Sequence, residues 1–153
     1  MAAVASLTLI DTPSFAINTP PEHFRVWTAE TLAEDAKALQ AKPGNNNLFE
    51  SKTVPFAVVM TTEENKAAKE FEWHEGRDHI VQVIDGATVY ELGGTPQNAR
   101  NTRPGEWLAP ESTGAKTLTL KKGDMLVIPR RTPHKRTTAD SVTFYLISPS
   151  GTP

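Results

Sequence analysis

From residue 48 onward, apolar and polar positions alternate with a period of two, in short runs broken by turn residues. The runs predict strands over 48–54, 56–61, 70–74, 79–84, 87–92, 116–120, 125–128 and 141–148, punctuated by Asp85-Gly86, Gly93-Gly94, Gly123-Asp124 and Thr132-Pro133. So many short strands at this spacing point to an antiparallel sandwich or small barrel. Between Gly93 and Gly114 the chain is polar, carries Pro and Gly, and offers only Trp107-Leu108 as an apolar anchor. It reads as a long loop, of the kind that serves a site or an interface. Ahead of the strands the period changes. Over 28–41, Leu32, Ala36 and Leu39 share one helical face, acidic residues come early, Lys37 late, and Pro43-Gly44 ends the run. One narrow apolar stripe predicts a lid or brace. Pro13, Pro20 and Pro21 make the first twenty-odd residues an extended arm, in which any strand belongs at a sheet edge. The expected organisation is an arm and helix over 1–47 packed on a β-barrel over 48–153, one folded unit of 153 residues.

Charge and composition narrow the partners. A formal net charge of -2 and a pI near 6.1 recommend neither nucleic acid nor an anionic membrane. The short basic clusters Lys121-Lys122, Arg130-Arg131 and Lys135-Arg136 read as solvated loops, although one arginine of the second could clamp a carboxylate or phosphate. Cysteine is absent, so no disulfide and no thiolate chemistry are in play. No apolar stretch reaches membrane-spanning length, and the first ten residues carry no basic leader. The expectation is a soluble cytoplasmic protein.

The chemistry concentrates in two segments that hold three of the four histidines. Glu72-Trp-His74-Glu-Gly-Arg-Asp-His79 runs into Ile-Val-Gln-Val-Ile-Asp-Gly86, and Gly123-Asp-Met-Leu-Val-Ile-Pro129 runs into Arg-Arg-Thr-Pro-His134. Strand alternation places Glu72 and His74 on one face, and a hairpin after His74 brings His79 opposite them. Val81 and Val83 share the face of His79, while Ile80, Gln82 and Ile84 form the other row; the pattern leaves open which row is inward. His134 must arrive from another strand. Three imidazoles and a carboxylate are a complete ligand set for a divalent transition metal, so Glu72, His74, His79 and His134 are the candidate ligands. His23, in the Pro-rich arm, has no such company.

These segments resemble the two motifs of the cupin superfamily. The usual first motif is His-x-His, three or four residues, Glu, six residues, Gly. Counting back from Gly86, His79 stands in the Glu place, His74 in the second His place and Glu72 in the first. The usual second motif is Gly, five residues, Pro-x-Gly, two residues, His, three residues, Asn. Gly123, Pro129 and His134 match it, with Arg131 in place of the Gly and Thr138 in place of the Asn. Glu and His have exchanged places, yet the set is still three His and one Glu. The resemblance spans roughly residues 48 to 148. It implies an all-β fold, a cupin-type double-stranded β-helix (jelly-roll) barrel carrying the N-terminal arm and one short helix, and a homodimer.

The function this implies is that of a metal-dependent enzyme acting on a small organic molecule. Its divalent ion (Fe, Mn, Zn, Ni or Co) would serve as Lewis acid at the barrel mouth, in lyase, isomerase or dioxygenase-type chemistry. Glu75, Arg131 and Tyr90 are the further candidates for a catalytic part; Trp73 and Trp107 are pocket or core aromatics. The other reading is a small-molecule binder or sensor without turnover, which would keep its ligand in the absence of metal.

Overall fold

The computed structural model describes residues 25–50 and 54–151; the arm, His23 and the start of the first predicted domain lie outside the described residues. The helix α1 (Ala29–Ala41) is followed by β1 (Gly44–Phe49), β2 (Phe56–Ala67), β3 (Phe71–His74), β4 (His79–Leu92), β5 (Thr95–Gln97), β6 (Arg100–Arg103), β7 (Glu106–Ala109), β8 (Glu111–Thr113), β9 (Lys116–Lys121), β10 (Met125–Ile128) and β11 (His134–Pro149). Among the described residues every pairing of these strands is antiparallel. The fold is all-β with one helix, as the alternation predicts.

Two long strands organise it. β4 and β11 run side by side from Leu92–His134 to Ile80–Ile147, and both bend midway. The half of β4 before the bend pairs with β10, and the half after it with β9. β11 meets β3 at His134 and β2 from Thr137 onward. One sheet face thus runs β1-β2-β11-β4-β10 and the other β6-β7-β3-β11-β4-β9, the two shared strands turning the corner between them. Along β4 the buried positions are His79, Val81 and Val83 before the bend and Thr88 and Tyr90 after it, so the inward parity switches across 85–87. That settles which row faces inward. An extra residue in the register makes the switch, and Gly86 permits it. At φ 75° it takes a conformation L residues avoid, and an added Cβ would overlap the Ser141 carbonyl.

Between the faces lies a core of Val81, Val83, Tyr90, Leu120, Ile128, Val142 and Phe144. The helix lies on the outer face of the β1-β2-β11 sheet, where Ala36 joins Leu48 and Met60, with Leu32, Leu39, Ile84 and Tyr145 packed around them. Thr28 caps it, its Oγ1 accepting from the Thr31 N–H at 3.2 Å. Its place is that of a brace. The predicted 93–114 loop is instead largely ordered into the short strands β5 to β8. There β7 extends β3, and Trp73 stacks on Trp107 with ring centroids 5.8 Å apart. Runs of three or four residues are too short for a period to show. Among the described residues no helix is long and apolar enough to cross a membrane.

Candidate metal centre

The two motif loops meet at one end of the barrel. Arg131 N–H donates to the His74 carbonyl at 2.7 Å, and Asp78 accepts from the Arg130 N–H at 2.7 Å and from its Nη2 at 2.8 Å. Arg131, standing in the glycine position of the second motif, has φ 66°. The backbone there keeps a conformation suited to glycine, with arginine under strain in its place. Arg131→Gly is therefore expected to raise stability by about 1 kcal/mol in urea unfolding. A loss of stability would show that the arginine side chain outweighs its backbone penalty.

The Asp78–Arg130 pair latches the loops. The Arg130 guanidinium, with its backbone N–H, lowers the Asp78 carboxyl from its ordinary 3.8 to about 2. A depressed folded pKa stabilises fully above the unfolded value and ceases to do so as pH falls through the folded one. Asp78→Asn is thus expected to lower the urea midpoint at pH 5 and to match the wild type near pH 2, a comparison followed by circular dichroism. An equal gap at both pH values would count against the latch.

Within this frame His74 ends β3, His79 opens β4 and His134 opens β11. All three are buried, and their ligand atoms lie within 4.8 Å of one another. Each ring also has an outer partner at Nδ1. His134 Nδ1 lies 2.9 Å from the Thr132 carbonyl, and His74 Nδ1 lies 2.7 Å from Glu106 Oε2. A carbonyl and a carboxylate only accept, so both rings carry their proton on Nδ1 and leave Nε2 a free lone pair. Arg77 Nη2 lies against the His74 ring and donates to Glu106 Oε2 at 3.1 Å, holding that carboxylate in place. His79 Nδ1 pairs with Ser148 Oγ at 3.0 Å.

Burial, aided by Arg77 and opposed by Glu106, lowers the pKa of His74. Burial pushes His79 down to about 3, with His134 and His74 adding to it, and also lowers His134. At neutral pH the cluster presents three uncharged imidazoles with oriented rings. That is the donor chemistry a divalent transition metal requires, so the residues fit such an ion.

Glu72 stands apart from this trio in burial. Its carboxylate is 54% exposed, and its Oε1 lies 3.7 Å from His134 Nε2. It lines, with His79 and His134, a cavity of about 370 Å³. Val81, Ile128 and Leu146 give the cavity an apolar wall, and Tyr90 also lines it. The other two candidates do not. Glu75 faces a separate surface groove and accepts from Trp107 Nε1 at 2.9 Å, and Arg131 is exposed on its turn.

The alternation reading passed over three residues. Glu106 lay in the supposed loop. Glu63 and Arg136 line the cavity as a buried pair, Arg136 Nε donating to Glu63 Oε2 at 2.9 Å and Nη2 to Oε1 at 2.5 Å. Arg136 Nη1 donates to the Tyr90 hydroxyl at 2.9 Å, and its guanidinium lies 4.5 Å from the Phe144 ring centroid. One signal was available: Arg136 is two residues beyond His134 on one strand, and so shares its face.

No protein-family model matches the chain, and no curated protein matches it in sequence. Solved structures do match in shape. A cupin-2 domain-containing protein of Shewanella frigidimarina superposes with a TM-score of 0.52 at 16% identity, over 76% of this chain and 91% of its own. A protein of Neisseria meningitidis gives 0.51 at 13% identity, over 74% and 94%. A cupin protein of Bacteroides fragilis gives 0.50 at 12%, over 71% and 78%. At such identities the likeness speaks for the fold: the chain has the cupin double-stranded β-helix.

Proposed function

We propose that this chain is a metal-dependent enzyme that acts on a small organic molecule in the cavity between its sheets. The observation that carries this reading is the convergence of three buried, neutral histidines beside a cavity with an apolar wall of Val81, Ile128 and Leu146. His74, His79 and His134 would hold the ion, with Glu72 as the fourth ligand from the cavity wall. When bound, a divalent ion supplies Lewis acidity toward a substrate oxygen.

The chain's own groups set the rest. Glu106, Arg77, Ser148 and the Thr132 carbonyl fix the imidazole orientations from outside. Tyr90 accepts from Arg136 with its hydroxyl oxygen, which leaves its own proton to donate into the cavity. Burial raises the Tyr90 pKa, so the phenol stays protonated at neutral pH. A protonated phenol lining the same cavity as His79 and His134 suits lyase or isomerase chemistry, in which a proton is moved on the substrate.

The test is the metal content of untagged protein, by inductively coupled plasma mass spectrometry, beside a His74→Ala/His134→Ala double variant. Near-stoichiometric transition metal in the wild type, lost from a folded variant, is the expected result. A wild type that holds no metal and takes up none of iron, manganese, nickel, cobalt or zinc would sink the reading.

A further inference from the structure

We propose that the cavity selects a small monoanionic carboxylate, held by Arg136 at a point away from the histidines; the inference rests on the functional reading above and names its substrate class. Arg136 uses three of its five N–H groups, two on Glu63 and one on Tyr90. The other two have no acceptor among the described residues, although the side chain lines the cavity. Its position is rigid. Glu63 takes the Nε–Nη2 edge, Tyr90 the Nη1 group, and Phe144 lies against the plane. A planar donor fixed in this way matches a carboxylate better than a flexible ammonium does.

The charges around the cavity decide between anions. Lys135 is paired with Glu91 and Glu70 with Arg100. That leaves Lys66, Lys69 and Arg136 facing Glu63 and Glu72, a surplus of one positive charge. In the metal-free protein one negative charge balances it, whereas a phosphate dianion would overshoot. The spacing fits as well. His134 and Arg136 are two residues apart on one face of β11, about 7 Å along the strand, so a ligand of a few heavy atoms can touch both ends. The apolar wall of Val81, Ile128 and Leu146 would take the carbon skeleton between them.

The experiment is isothermal titration calorimetry of the full chain, both metal-free and reloaded with zinc or manganese. The probes are lactate, pyruvate and benzoate, their neutral amides, and inorganic phosphate. The variants are Glu63→Gln/Arg136→Gln, which keeps a hydrogen-bonding pair without charge, and Arg136→Lys, which keeps the charge without the fork. At least one carboxylate is expected to bind metal-free protein and to exceed its amide and phosphate by about tenfold or more. Its affinity should fall about 10–100-fold in the double variant and by less in Arg136→Lys, with histidine-bound metal unchanged in both.

No carboxylate binding, equal binding of the amides, tighter binding of phosphate, or undiminished affinity in the folded variants would each overturn the proposal. If the double variant does not fold by circular dichroism, the Arg136→Lys titration decides alone, and an unchanged affinity there overturns it. The two readings fail separately. Carboxylate binding that follows Arg136 in a protein that takes up no metal removes the metal centre and leaves the clamp, and metal uptake with binding blind to Arg136 does the reverse.

Discussion

Arg136→Ala is expected to lower the unfolding free energy by about 3–5 kcal/mol at pH 7, the range for stripping one partner from a buried ion pair. Glu63 is only 7% exposed and Arg136 22%, so the carboxylate left behind cannot regain its water. Burial pushes the Glu63 pKa up, and the hydrogen bonds and charge of Arg136, helped by Lys66, more than reverse it: the net shift is downward from 4.5. Without the guanidinium only Lys66 opposes burial, and that lysine is 62% exposed. Glu63 in the variant should then take up a proton well above 4.5. The variant's deficit is therefore greatest at neutral pH and shrinks toward pH 4.5, because a protonated carboxyl no longer needs a cation. Glu63→Gln/Arg136→Gln should lose far less, since no buried charge is left without its counter-ion. Urea unfolding followed by circular dichroism at pH 7 and pH 5 measures all of this. A loss below about 1 kcal/mol at pH 7 would place the pair with solvated ion pairs.

How much of this was legible in the chain depends on range. The histidines could be read because short loops fix their spacing locally: residues 75–78 join His74 at the end of β3 to His79 at the start of β4, and His134 follows the Pro129 turn. The expected hairpin does not form, because β3 and β4 pair with β11 and not with each other, and His134 at the head of β11 comes between them. Arg131 shows how far such a pattern reaches. The side chain departs from the cupin motif, yet the backbone keeps a glycine-like φ, because the path of the turn is set by what it joins. Register is a different matter. Gly86 looked like the end of a strand, and in the fold it is the corner at which β4 continues and switches its inward parity. The same bend carries β11 back to His134, seven residues before its predicted start at 141. The pairing of Glu63 with Arg136 spans 73 residues and depends on how β2 meets β11, which no local period contains. Lys135-Arg136 looked like a solvated cluster because it was taken as two adjacent charges. On a strand, adjacent residues face opposite sides, so Arg136 shares the face of His134 and pairs with Glu63, while Lys135 pairs with Glu91.

His79→Ala is expected to weaken metal binding by more than the roughly 10–100-fold typical of losing an outer partner, because it removes a donor atom itself. His79 is the ring that His74 and His134 both face edge-on, with centroids 4.9 and 5.4 Å away. Its removal leaves two imidazoles and a mainly exposed carboxylate, too few fixed donors to exclude water from the ion. Glu106→Gln belongs to the outer class. The His74 Nδ1 proton keeps an acceptor in the amide oxygen, but the ring loses the carboxylate that makes its Nε2 more basic, so a fall of about tenfold is expected.

Glu72→Gln is the informative member of the series. Its carboxylate is free to reach the ion from the cavity side but must be ordered from a half-exposed state, so its loss should weaken binding by about tenfold, well short of His79→Ala. Competition with a zinc chelator, read on folded protein, gives the three dissociation constants. An affinity unchanged by Glu72→Gln would make the centre a three-histidine site. An affinity unchanged by His79→Ala would mean that any bound ion sits elsewhere, and the histidines would then be three buried neutral rings packed edge to face.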